Sequence, residues 1–207
     1  SLLARLAEEA MTQLTLTTDP ADLGVQRSLL PRLLMLDEAA NCRASGAALD
    51  ILPGLQDDLP EDLGLAMLKC SQAFTKSSGS SYGTLMALGM MAIAKQIKGQ
   101  TAVEPSELIA LVAVVRDQIQ TRGKAEIGGK TVLDSLDAIA KQISGMTDLE
   151  DIRTAAVVAV DEALAAFRDK PATMGRARMF GEKSIGLDDP GMLAMKFIVY
   201  AIAGRSV

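Results

Sequence analysis

Histidine is absent from this chain, and so is tryptophan. Without histidine there can be no Ser-His-Asp triad, no imidazole proton shuttle and no histidine-rich metal site. Aromatic residues, at 3%, leave little for stacking on bases, and a formal net charge of −5 gives no cationic field for a polyphosphate backbone. Nucleic acid is therefore not an expected partner. The two cysteines, Cys42 and Cys70, lack CxxC spacing and offer neither a zinc site nor a disulfide framework, so a cytoplasmic location is expected. The most apolar runs, 85–94 and 192–203, fall short of the roughly 18 residues a membrane span needs, and Lys196 interrupts the second. No membrane partner is expected. Arg5, Glu8 and Glu9 break up the leucines near the start, which makes residues 1–11 an amphipathic helix rather than a signal-peptide core.

What is present is a globular composition, 49% apolar and 23% charged over 207 residues, enough for one sizeable core. One domain over 1–207 is expected, with residues 1–24 forming an N-terminal helix and connection. Leu108, Leu111, Val112, Val115 and Ile119 recur at helical spacing, with Arg116, Asp117 and Gln120 on the other face. The same period runs through Leu133, Leu136, Ala140 and Ile143. It returns in Ile152, Ala156, Ala159, Ala163 and Phe167, where Asp148 is the expected cap. Further helices are predicted around 61–74, 81–97 and 189–203. No window alternates apolar and polar residues with β-branched enrichment, so no strand is predicted. Breaks at Asp19-Pro20, Pro53-Gly54, 76–80, Gly123, Gly128-Gly129 and 171–190 divide the chain. The expected fold is all-α, a barrel or bundle of about eight antiparallel amphipathic helices. The connection 171–189 is predicted to be a long loop, and loops of that length are usually functional or disordered. Met35, Met86, Met90, Met91 and Met192 are expected to fill the core. Asp57-Asp58 and Glu61-Asp62 are expected as solvated loop and helix-start charge.

Three small-residue loops lead into helices. Ser77-Ser78-Gly79-Ser80-Ser81-Tyr82-Gly83-Thr84 presents the N terminus of the helix bearing Met86, Met90 and Met91. Such a terminus suits an anion, or is simply a capped helix with glycine for close packing. Residues 123–131 look like a phosphate-binding P-loop but are not one. Five residues rather than four separate Gly123 from Gly129, Lys124 stands where glycine is required, and no strand precedes. Residues 175–191 set Arg176, Arg178 and Lys183 among glycines, which suits anion binding or a solvated basic loop.

The three loops together resemble the nucleotide-binding L-type subunit of dihydroxyacetone (glycerone) kinases, whose corresponding stretches look like SGPLYGT, RGxAxxGDKTMLDAL and GRASYLGERSIGHQDPG. This chain has Ser78-Gly79 with Tyr82-Gly83-Thr84, and then Arg122-Gly123, Ala125, Gly128, Lys130-Thr131 and Leu133-Asp134. It continues with Gly175-Arg176-Ala177, Gly181-Glu182, Ser184-Ile185-Gly186 and Asp189-Pro190-Gly191. The resemblance covers roughly residues 25 to 205. It implies a helical barrel with ADP or ATP at one mouth. Gly46 would lie at the nucleotide, Ser77 and Ser78 would meet phosphate, Gly123 and Val132 would border the adenine, and Arg176 with Asp189, Pro190 and Gly191 would close the site. It also implies a partner K-type subunit that holds the hydroxyketone through its own histidine. A phosphotransferase-system protein is the further partner implied if bound ADP is recharged. Oligomeric state, a homodimer included, stays open.

The family's metal motif, LDxAIGDGDHGxN, begins here at Leu36-Asp37 and runs through Cys42-Arg43-Ala44-Ser45-Gly46. Asp37 keeps the first metal position, but the second and third aspartates are Cys42 and Ala44. Magnesium requires oxygen ligands in near-octahedral geometry, and Cys42 supplies none. Arg43 is either a fixed cation near the phosphates or a surface arginine. Two functions of different class follow from these residues. The chain is a kinase component with impaired catalysis and no assigned catalytic residue, or it is a non-catalytic homologue that binds nucleotide or a partner.

Overall fold

A computed structural model describes residues 60–77 and 81–205. Among them are six α-helices and one 3-10 segment, with no strand. The helices are α1 (Leu63–Ser77), α2 (Ser81–Gln96), α3 (Pro105–Gly123), α4 (Val132–Gln142), α5 (Leu149–Arg168) and α6 (Pro190–Ile202). Consecutive helices pack on each other and α6 also contacts α4, which gives an up-and-down bundle built from short connections. The all-α expectation holds. The predicted helix at 1–11, together with Asp57-Asp58, lies outside the described residues.

Local sequence explains where the helices start. Asp62 caps α1, accepting the N–H groups of Gly64 at 2.8 Å and Leu65 at 3.1 Å. Its second carboxylate oxygen accepts the Gly99 N–H at 3.0 Å, so this helix-start charge also ties α1 to the turn after α2. Pro105 opens α3, where a missing N–H costs nothing, and Glu107 reaches back to the Glu104 N–H at 2.9 Å. Asp148 caps α5 as expected, accepting from Glu150 at 2.9 Å and Asp151 at 3.0 Å.

The periodic residues form the core. Ile119 and Leu133 are fully buried, and Leu136, Ile139, Ile143, Ile152, Val160, Met195 and Val199 pack into the same cluster. Lys196, which interrupts the apolar run of α6, places its ammonium 3.0 Å from Asp161 of α5. The other oxygen of that carboxylate accepts the Tyr200 hydroxyl at 2.6 Å. No helix among the described residues is long and apolar enough to cross a membrane.

Two expectations need correction. The connection 171–189 is not a structureless loop, because Arg176–Ser184 forms a 3-10 segment kinked at Gly181. Gly181 has φ 48 and ψ −121, a conformation open to glycine but strained for other residues, and nothing in hydrophobic periodicity announces so short and bent an element. Met192 is core, at 1% exposure, but Met91 is 37% exposed and fills no core position. Positions 87, 91 and 94 fall on one helical stripe, so spacing gives no notice of that exposure.

Candidate functional site

The three glycine-bearing loops do lead into helices, and the helices they lead into begin at one end of the bundle. Around Gly191, the second residue of α6, a Cβ would sit 3.6 Å from Cδ2 of Tyr82 and 3.6 Å from Cβ of Val132. Tyr82 is the second residue of α2 and Val132 the first of α4. Three helix N termini thus approach one another closely enough that a single added methyl group would touch the other two, and their macrodipoles place partial positive charge at one spot. Gly123, the last residue of α3, joins the group from the side, since a Cβ there would lie 2.9 Å from Cδ2 of Leu85 on α2.

Asp189 caps α6 by accepting the Met192 N–H at 2.9 Å, and Pro190 takes the first helical position. Burial pushes the Asp189 carboxyl up to about 6, against the pull of the Met192 and Gly191 N–H groups and of the Lys130 ammonium, with Asp134 raising it further. Burial and then the neighbouring Asp189 likewise push the Tyr82 phenol up. The buried Tyr82 hydroxyl has no hydrogen-bond partner among the described residues.

The Asp189 shift has a consequence for stability. A folded state that holds a proton more tightly than the unfolded chain has this stabilisation in full below about pH 4 and loses it as pH rises through about 6. Asp189→Asn keeps an acceptor for the cap but cannot ionise. In urea unfolding at a series of pH values, the stability of the variant relative to the parent should climb by about 2 kcal/mol between about pH 4 and about pH 7. A difference that stays flat across that range contradicts the shift.

The loop between α3 and α4 is organised by Asp134, which is 3% exposed. Its carboxylate accepts the Gly128 N–H at 2.5 Å, the Thr131 N–H at 2.7 Å and the Thr131 hydroxyl at 3.4 Å. Thr131 in turn accepts the Leu133 N–H at 3.3 Å, completing the cap of α4. Lys130, 2% exposed and at φ 59, sends its ammonium to the carbonyls of Arg168, Lys170 and Ser184. A cavity of about 10 Å³, room for about one water, lies between Lys130, Ala177, Ser184 and Asp189.

The structure therefore gathers Val132, Asp189, Pro190 and Gly191, with Gly123 beside them. Arg176 opens the 3-10 segment, whose next residue, Ala177, lines that cavity. Ser77 ends α1. Gly46, Ser78 and Asp37, the last expected as a metal ligand, lie outside the described residues, as do Cys42, Arg43 and Ala44. Sequence reasoning gives no separate role to Tyr82, Lys130 or Asp134. For Asp134 a signal exists, a carboxylate three residues after a threonine that caps a helix. For Lys130 none does.

The family model for the DAK2 domain matches residues 42–204. The PEP-dependent dihydroxyacetone kinase, ADP-binding subunit DhaL, of Escherichia coli (strain K12) is 24% identical over 165 residues, covering 78% of this chain and 77% of that protein. The PTS-dependent dihydroxyacetone kinase, ADP-binding subunit DhaL, of Lactococcus lactis subsp. lactis (strain IL1403) is 30% identical over 130 residues, covering 63% of this chain and 62% of that protein. The crystal structure of the dihydroxyacetone kinase of C. freundii in its native form matches with a TM-score of 0.66 at 18% identity, over 98% of this chain and 34% of that one. The same kinase in complex with AMP-PNP and Mg2+ matches with a TM-score of 0.65 at 20% identity, over 98% of this chain and 33% of that one. This chain thus spans about a third of those kinase chains, and at such identity the likeness concerns the fold.

Proposed function

This chain belongs to the DAK2 domain family, and from that premise we propose that it binds ADP or ATP where α2, α4 and α6 begin, as the nucleotide-binding component of a dihydroxyacetone kinase. The observation that carries this reading is the close approach of the Gly191 position to Tyr82 and Val132, where an added Cβ would touch both, which brings three helix N termini together at one point. Phosphate groups are stabilised there by the aligned dipoles, and Arg176 opens the segment that closes over them. Gly123 and Val132 border the adenine, while Asp189, Pro190 and Gly191 form the opposite wall. By resemblance alone, Ser77, Ser78 and Gly46 would complete the phosphate side. The buried Tyr82 hydroxyl is a donor that a bound ligand can satisfy.

The hydroxyketone is held by a separate K-type subunit, in keeping with a chain that has no histidine of its own. Two relatives are named as PEP-dependent and PTS-dependent ADP-binding subunits, which favours a nucleotide that stays bound and is recharged by a phosphotransferase protein. The donor set does not suit magnesium. Asp37 remains, but Cys42 and Ala44 at the matching positions supply no carboxylate. Phosphoryl transfer relies on positioning and on neutralising phosphate charge, so turnover should be far below that of relatives with three aspartates.

The missing carboxylates favour a second reading, a non-catalytic homologue that binds nucleotide and a partner without transferring phosphate. Calorimetric titration with ADP and ATP, with and without magnesium, tests the shared part. No heat of binding under any of these conditions overturns both readings. A transfer assay with K-type subunit, dihydroxyacetone and magnesium then separates them. Turnover near the family's level retires the regulatory reading, and metal-independent binding without turnover retires the kinase one.

A further inference from the structure

We propose that Lys130 is a positioning residue, a tethered cation in a cage of three backbone carbonyls that draws the closing segment 170–186 onto the loop before α4. The proposal rests on the nucleotide reading above for its functional consequence, though not for its geometry. The Lys130 Nζ lies 3.0 Å from the carbonyl of Arg168, 2.9 Å from that of Lys170 and 2.8 Å from that of Ser184. An ammonium has three N–H donors, and here each has one acceptor, so none is left unsatisfied. No donor is left for a phosphate, which excludes Lys130 as a direct ligand.

The acceptors are not arbitrary. Arg168 is the last residue of α5 and Lys170 lies just beyond it, where carbonyls lack helical partners and the dipole is negative. The third acceptor, Ser184, ends the 3-10 segment that begins at Arg176. One charge therefore joins the end of α5 to the far end of the segment that carries Arg176. Around it, the Ser184 hydroxyl accepts the Ala172 N–H at 2.7 Å and donates to the Gly181 carbonyl at 2.6 Å. The Thr173 N–H donates to the Gly129 carbonyl at 3.3 Å, and the Gly186 N–H to that of Arg168 at 2.9 Å. All of these bonds span the two loops or close the second one, and Lys130 is the charged group at their centre. Burial pulls the Lys130 ammonium below the ordinary lysine value, while Asp189, Asp188 and Asp169 hold against it and the neighbouring Arg168 adds to the lowering.

A cation held by carbonyls can be replaced by a free one. Lys130→Ala should bind ADP at least about tenfold more weakly than the parent, at a temperature where circular dichroism reports both as folded. Ammonium or methylammonium should restore most of that affinity in Lys130→Ala. It should do nothing for the parent, or for Lys130→Met, whose side chain fills the space without charge. In parallel, amide exchange at Ala172 and Gly186 should speed up in both variants while exchange in α4 and α5 stays slow. Affinity within about twofold of the parent in both variants overturns the positioning role, as does loss in Lys130→Ala that ammonium does not reverse. Should Lys130→Ala not fold, recovery of its fold by ammonium supports the cage and failure to recover overturns it. If the parent itself binds no ADP, the nucleotide reading fails, and the exchange rates at Ala172 and Gly186 decide the cage by themselves.

Discussion

Asp134→Ala should lower the free energy of unfolding by about 3 kcal/mol and the thermal midpoint by roughly 10 °C. The carboxylate is buried and accepts two backbone N–H groups, from Gly128 and Thr131, with the Thr131 hydroxyl as a weaker third donor. Bonds to a charged acceptor contribute about 1.5–3 kcal/mol each, and alanine leaves the donors without a partner in a loop that already holds Lys130 at positive φ. The cap of α4 loosens as well, because Thr131 is held by the same carboxylate while it accepts the Leu133 N–H. Asp134→Asn retains one acceptor and should lose about half as much. Urea unfolding of the three proteins measures this directly, and a loss below about 1 kcal/mol for the alanine variant would show that water takes over the two donors. Because Val132 follows this loop, ADP affinity should fall in the same order, alanine below asparagine below parent.

An effect of similar size is expected at the other end of the bundle. At Gly64 a Cβ would lie 2.6 Å from the Lys98 Cα, 2.7 Å from the Ala94 carbonyl oxygen and 2.8 Å from the Lys98 nitrogen. These are backbone atoms, so no rotamer change can make room, and the start of α1 must move off the end of α2. Alanine in a helix is favoured over glycine by about 1 kcal/mol, but overpacking against fixed atoms costs about 1–3 kcal/mol and occasionally more. The clash should prevail. Gly64→Ala is expected to be less stable than the parent by about 2 kcal/mol in denaturant unfolding, and an unchanged or higher stability contradicts so close an approach. Gly64 sits at the start of α1 and the proposed nucleotide site is where α2 starts, so ADP affinity per folded molecule should not change.

The contrast between these two positions shows how far the amino-acid order could be read. The helices were legible because their information is local. Leu133, Leu136, Ala140 and Ile143 repeat at helical spacing and are all buried, and Asp148 caps the helix it precedes. The loops as a set were legible through resemblance, and Val132, Asp189 and Gly191 do come together. The carbonyl cage was not legible, because Lys130 meets carbonyls 38, 40 and 54 residues further on, and backbone oxygens leave no mark in a sequence. The 3-10 segment was missed for a related reason, since a nine-residue element bent at Gly181 has too few turns to show a period. Met91 was misread because a methionine in an apolar helix carries no sign of which way it faces.

In an up-and-down bundle, direction alternates with every helix. The links that enter α2, α4 and α6 therefore share one pole, and those around Gly99-Gln100 and Gly145 share the other. Chain length at the two poles is under different constraint. Extra residues spliced in at Gly145, where φ is already 78, fall at the pole opposite the proposed nucleotide site. The same insertion near Gly128 or Gly186 would pull apart segments that must meet, so the spacing of the glycine loops, and not only their residues, carries the instruction for the pocket.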